Sequence, residues 1–148
     1  MRIAIGCDHG GLHLKEEIKQ YLTEENVEFC DMGTFTADSV DYPDITEKVA
    51  LAVTGGECDR GIILCGTGIG VCIAANKIDG IRAALCHDAF SAQMSREHNN
   101  ANVLTMGERV IGFGLAKLIT GIWLKTEFAG GRHSCRVDKI MALENKEQ

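Results

Sequence analysis

Short apolar runs alternate with amphipathic segments along almost the whole chain, and this alternation narrows the possible folds more than any other feature. The first run, Arg2–Gly6, leads through Gly10-Gly11 to Leu14, Ile18, Tyr21 and Leu22, which recur at helical spacing. Val27–Asp31 reads as a second strand and Met32–Tyr42 as a loop. Pro43 suits the first turn of a helix whose stripe is Ile45, Val49, Ala52 and Val53, and Gly55-Gly56 ends it. Gly61–Leu64 is a third strand, and the glycine turn Cys65–Gly70 opens a helix to about Lys77. Ile81–Cys86 is a fourth strand, Asp88 the N-cap of a helix over Ala89–His98, and Val103–Met106 a fifth strand. Helices over Gly112–Lys125 and Val137–Glu144 complete the chain.

Strands and helices in this rhythm imply the α/β class: a three-layer α/β/α domain around a five-stranded parallel sheet. The expected strand order is the doubly wound 2-1-3-4-5. A length of 148 residues fits a single domain over residues 1–148. With 45% apolar and 24% charged residues, the chain is neither disordered nor fibrous. Its net charge of 15 − 21 = −6 argues against nucleic acid or a membrane surface as partner. The seven cysteines are odd in number and form no C-x-x-C pair, which argues against a disulfide framework, a zinc site and a dithiol redox site. The N-terminal apolar run is too short for a signal peptide. The most apolar stretch, Val110–Leu124, has 15 residues including Lys117, where a membrane span needs ~20. A cytoplasmic protein with reduced thiols is expected.

Open parallel sheets bind ligands beyond the carboxyl ends of their strands. That edge should receive Cys7-Asp8-His9, Cys65–Gly70, His87-Asp88 and Gly107-Glu108-Arg109. Within Cys65-Gly66-Thr67-Gly68-Ile69-Gly70, three glycines let backbone N–H groups converge, and the following helix adds its positive end. Such a turn holds a phosphate or a developing oxyanion, or serves only close helix–strand packing. Three better-known readings fail. The dinucleotide fingerprint needs glycine where Val71 stands, no G-K-[ST] Walker sequence follows, and a cysteine-phosphatase loop needs arginine, again at Val71.

Cys65, at a strand end and helix start, suits a nucleophile or general base, or is simply a small buried residue. His98 is a candidate acid/base or a helix C-cap. Lying between a helix end and a strand start, it should sit at the opposite sheet edge from Cys65, so a shared site would need a second subunit. Arg132 and Arg136, four apart, would share a helix face and could grip a phosphate dianion, or form a solvated basic patch.

Six ordered motifs strongly resemble type B ribose-5-phosphate isomerase, in a wider family with galactose-6-phosphate and allose-6-phosphate isomerases. They are Gly6-Cys7-Asp8-His9-Gly10-Gly11, Asp41-Tyr42-Pro43, Cys65–Gly70, Asn76-Lys77, His98-Asn99-Asn100-Ala101-Asn102 and Gly130-Gly131-Arg132-His133. The match runs from Arg2 to about Arg136. The resemblance implies a Rossmann-like fold, a homodimer or a tetramer built from it, sites at the subunit interface, and aldose–ketose isomerisation of a sugar phosphate without metal or cofactor. It implies Cys65 as the base moving a proton between C1 and C2, and His98 as the acid/base that opens the sugar ring. Asp8, His9, Gly66, Thr67, Gly68, Ile69, Gly70 and Asn99 correspond to substrate contacts. Arg109, Arg132 and Arg136 correspond to other polar and phosphate-binding positions. Some members lack this cysteine and use a glutamate elsewhere; here Cys65 is present. A six-carbon sugar phosphate as substrate, and a non-catalytic phosphosugar- or nucleotide-binding module, are the rival readings.

Overall fold

The computed structural model describes residues 1–144; residues 145–148, the end of the expected domain, lie outside the described residues. The strands are β1 (Arg2–Cys7), β2 (Glu28–Asp31), β3 (Arg60–Cys65), β4 (Ala83–Leu85) and β5 (Val103–Gly107). The helices are α1 (Leu12–Glu24), α2 (Tyr42–Thr54), α3 (Ile69–Ala75), α4 (Ala89–Glu97), α5 (Phe113–Lys125) and α6 (Ser134–Met141). Two 3-10 turns, His9–Gly11 and Gly131–His133, precede α1 and α6. All four strand pairings are parallel. Among the described residues no helix is long and apolar enough to cross a membrane.

Side chains alternate across the sheet, as the two-residue strand period requires. Ile3, Ile5, Ile62, Leu64, Leu104 and Met106 pack on one face with Leu14, Ile18 and Leu22 of α1 and Ala116, Ile119 and Trp123 of α5. Ala4, Ile63, Cys65 and Val103 pack on the other with Val49 and Ala50 of α2 and Val71 and Ala75 of α3. The three layers expected from the alternation are therefore present, with Cys65 on the α2–α3 side.

The strand order is β2-β1-β3-β5-β4, not 2-1-3-4-5. The chain places the longer strand of the two inside: every one of the five residues of β5 is buried, whereas the three residues of β4 are only half-buried. Short, partly exposed strands belong at edges. The exchange has a functional consequence, because Cys65 is paired in register with Gly107 rather than with the end of β4.

The predicted caps hold. Asp88 accepts from the Ser91 N–H at 2.7 Å, Pro43 lies in the first turn of α2, and Gly55 is its C-cap. The last helix begins at Ser134 and ends at Met141, short of the expected Glu144. Arg132 lies in the 3-10 turn and Arg136 in α6, so the two do not share one continuous helix. Gly130 and Gly131, both at positive φ, break the chain there.

Candidate active site

The carboxyl edge gathers three strand ends. Cys7 of β1 pairs with Leu64 of β3, and the Asp8 N–H donates to the Leu64 carbonyl at 3.2 Å. On the other side of β3, the Glu108 N–H donates to the Cys65 carbonyl at 2.9 Å and the Arg109 N–H to the Gly66 carbonyl at 3.0 Å. The Arg109 guanidinium lies against Gly66, where an added Cβ would come within 3.4 Å of Nε. Asp8 is 9% exposed, and its Oδ1 accepts from the Gly10 N–H at 2.8 Å, leaving Oδ2 free of protein donors. His9 is exposed, with Nδ1 3.4 Å from the Val40 N–H, which ties it to the loop after β2.

At the centre, the Gly68 N–H donates to the Cys65 Sγ at 3.0 Å. Gly68 has φ 76°, a left-handed conformation that lets the chain fold back over the sulfur. Other sulfurs also accept, but from side chains: Cys30 from Arg2 Nη2 at 3.3 Å and Cys72 from Asn76 Nδ2 at 3.6 Å. The thiols of Cys7, Cys72 and Cys86 donate to backbone carbonyls. Burial pushes Cys7 up to about 12 and Cys86 up to about 11, so both stay protonated at neutral pH. A backbone N–H aimed at a sulfur stabilises negative charge that develops there. Cys65 is 5% exposed, at the bottom of a turn whose Gly66, Thr67, Ile69 and Gly70 remain open or half-open to solvent.

The remaining predicted residues lie elsewhere. His98 is the C-cap of α4, which runs from the end of β4 back to the amino edge. At that edge the Gly61 N–H donates to the Asn102 carbonyl, and Gly61 pairs with Val103. Four residues of β3 separate Gly61 from Cys65, about 13 Å of strand. His98 stacks on His133, ring centroids 4.2 Å apart and planes 6° from parallel. Burial, then the neighbouring His98, Arg132 and Arg136, holds His133 below the usual histidine range. Asn99, Arg132 and Arg136 are exposed near this pair. The predicted residues thus fall into two groups at opposite edges of the sheet. Asp8, His9, Cys65–Gly70 and Arg109 make one; His98, Asn99, Arg132 and Arg136 make the other.

Glu108, Tyr42 and His87, placed at this edge or in a motif by the sequence, make contacts that it did not announce. Glu108 caps α1, its Oε2 accepting from the Leu14 N–H at 2.8 Å, and so locks the β5 end to the first turn. The Tyr42 ring lies over Gly70, where a Cβ would come within 2.8 Å of Cζ. His87 accepts the Gly107 N–H at Nε2, 3.1 Å, which fixes its proton on Nδ1. These roles join residues distant in sequence, and no local spacing announces them. Asp88, delivered to the same edge, is occupied in capping α4.

An open parallel sheet with a glycine turn and a hydrogen-bonded thiol at the carboxyl end of a central strand places the chain among α/β proteins that bind small ligands at that edge. A family profile described as Ribose/Galactose Isomerase matches residues 3–140. A solved structure of ribose-5-phosphate isomerase B from Clostridium thermocellum superposes with a TM-score of 0.96 at 58% identity, covering 97% of each chain. Ribose-5-phosphate isomerase B of Escherichia coli is 52% identical over 98% of this chain and 97% of its own. D-erythrulose-4-phosphate isomerase of Pectobacterium atrosepticum is 47% identical over 100% of this chain and 98% of its own. The chain belongs to the ribose/galactose isomerase family.

Proposed function

We propose that the protein is a cytoplasmic aldose–ketose isomerase that interconverts ribose 5-phosphate and ribulose 5-phosphate, working as a single domain and without a cofactor. The observation that carries this reading is the Gly68 N–H bond to the Cys65 sulfur within a glycine turn flanked by Asp8 and Arg109. The Cys65 thiolate takes the proton from C2 of the open-chain aldose, and the electron pair moves into a C1–C2 enediolate. A proton returns from that thiol to C1 while the proton on O2 is exchanged for one on O1, which leaves the ketose. N–H groups of Gly66–Gly70 face the developing oxyanion, and Asp8, His9 and Arg109 hold the hydroxyls.

The two groups of residues are assigned to different subunits of a homodimer, which can assemble further to a tetramer. A partner's copy of His98 would then meet Cys65, accepting the proton of O1 as the C1–O4 bond of the furanose breaks while O4 gains a proton. The partner's copies of Asn99, Arg132 and Arg136 would complete the site and grip the phosphate, holding the chain in register. What supports this is the separation by the length of β3 of two groups that one substrate needs together.

The test is Cys65→Ala assayed for ketose formation after metal chelation. Turnover should vanish while ribose 5-phosphate still binds; near-wild-type turnover would remove Cys65 as the base. The wild-type panel should include a tetrose phosphate and the 6-phosphates of allose and galactose, because relatives differ in named substrate. Preference for another sugar by kcat/KM would keep the mechanism and change the substrate. No turnover of any sugar by folded, reduced protein would favour a binding module.

A further inference from the structure

Arg96 is 4% exposed, at the end of α4, and none of the described carboxylates pairs with it. A buried cation without an ion pair is costly, and its neighbours add to the cost. Burial, then Arg60, pulls its guanidinium down to about 10, with Glu127 opposing, so it stays charged at neutral pH. Its face lies 5.7 Å from the Trp123 ring, which offers attraction but no hydrogen-bond acceptor.

Its hydrogen bonds converge on one segment. Nη1 donates to the Asn100 Oδ1 at 3.0 Å and to the Ala101 carbonyl at 2.6 Å. Nε reaches the Thr126 carbonyl at 3.4 Å. Asn100 is left-handed, φ 47°, one of two non-glycine residues at positive φ among those described. Its own carbonyl accepts from Arg82 Nε at 3.0 Å. The residues gripped from both sides directly follow His98 and Asn99.

We propose that Arg96 is a positioning residue for the isomerase, fixing the left-handed turn at Asn100 so that His98 and Asn99 are held for ring opening in the partner's site. This rests on the isomerase reading above. Arg96 is buried behind the turn and acts through His98 and Asn99. Packing alone would be served by an apolar side chain at this depth; a guanidinium whose Nη1 reaches a side-chain amide and the next carbonyl, while Nε is held by Thr126, is suited to holding a turn.

The two directions of the reaction separate positioning from general damage. Ribose 5-phosphate must be opened before C2 can be deprotonated. Ribulose 5-phosphate cannot form a furanose because its C5 oxygen carries the phosphate, so exchange of its C1 hydrogen with D2O reports Cys65 chemistry without ring opening. In Arg96→Met, kcat from ribose 5-phosphate should fall by on the order of tenfold to a hundredfold, with C1 exchange from ribulose 5-phosphate within about threefold of wild type. Arg96→Lys should recover only part of the loss, since one ammonium on a shorter side chain cannot hold Asn100, Ala101 and Thr126 together as the planar guanidinium does. Asn100→Gly keeps the backbone conformation available, removes the side-chain acceptor and should show the same split, which carries the test if Arg96→Met fails to fold. Equal losses in both reactions, or no loss in either, would overturn the proposal. Absence of C1 exchange by the wild type would instead overturn the isomerase reading beneath it.

Discussion

Gly107→Ala tests how tightly the strand order controls the chemistry. Gly107 ends β5 beside Cys65, and a Cβ there would sit 2.5 Å from the Thr67 carbonyl carbon, 2.6 Å from its oxygen and 2.7 Å from its Cα. All three are backbone atoms, so no side chain can rotate away. Ordinary contact begins near 3.4 Å, which requires a shift of 3.4 − 2.5 = 0.9 Å in the turn or in β5. That turn carries the Gly68 N–H that meets the Cys65 sulfur at 3.0 Å, and a displacement of this size stretches or misaims the bond. Overpacking of this kind costs about 1–3 kcal/mol of stability, while an ångström of misplacement at a reacting centre costs up to about a hundredfold in rate. The assay pairs urea unfolding with steady-state ketose formation on the same preparation. A folded variant should lose more than tenfold in kcat by this reasoning. Wild-type kcat and KM in folded Gly107→Ala would refute the claim that the turn must sit where it does.

Three further outcomes are expected. Equal amounts of inactive Cys65→Ala and His98→Ala chains, mixed with verified subunit exchange, should recover about a quarter of wild-type activity, because half the dimers are mixed and each has one intact site; no recovery would favour a site within one chain. Burial holds His87 below the usual histidine range despite Asp88, so its neutral form is favoured on folding. Its contribution is complete above the unfolded value of about 6.5 and is lost as pH falls through the lower folded value; His87→Gln should flatten that part of the stability–pH curve measured in urea. For Asp31, burial alone would raise the carboxyl, but hydrogen bonds from Lys15 and Lys19 outweigh it and hold it below the usual range. Asp31→Asn leaves the fully buried Lys15 ammonium, which Asp31 meets at 2.8 Å, with only the more distant, exposed Glu16 as counter-ion at 3.7 Å, and should cost about 3–5 kcal/mol in urea unfolding; a loss below 1 kcal/mol would refute the pairing.

The amino-acid order by itself determined the class, the layers and the location of the chemistry. Short apolar runs bounded by turn residues are too brief for buried helices, and stripes at i, i+3, i+4 cannot rest as strands, so the alternation left a helix-covered parallel sheet. The glycine turn after β3 was equally legible, since its spacing and its place at a strand end are local facts. The order of β4 and β5 was not. It depended on which strand could be enclosed on both sides, a competition among segments distant in the chain, and the fully buried β5 took the inner place. That outcome put Arg109 beside Gly66 and Gly107 against Thr67. The grip of Arg96 on Asn100, the cap of Glu108 on α1 and the His98–His133 stack likewise exist only once the chain is packed. Periodicity reports which face of a segment is apolar, but only packing decides which faces meet.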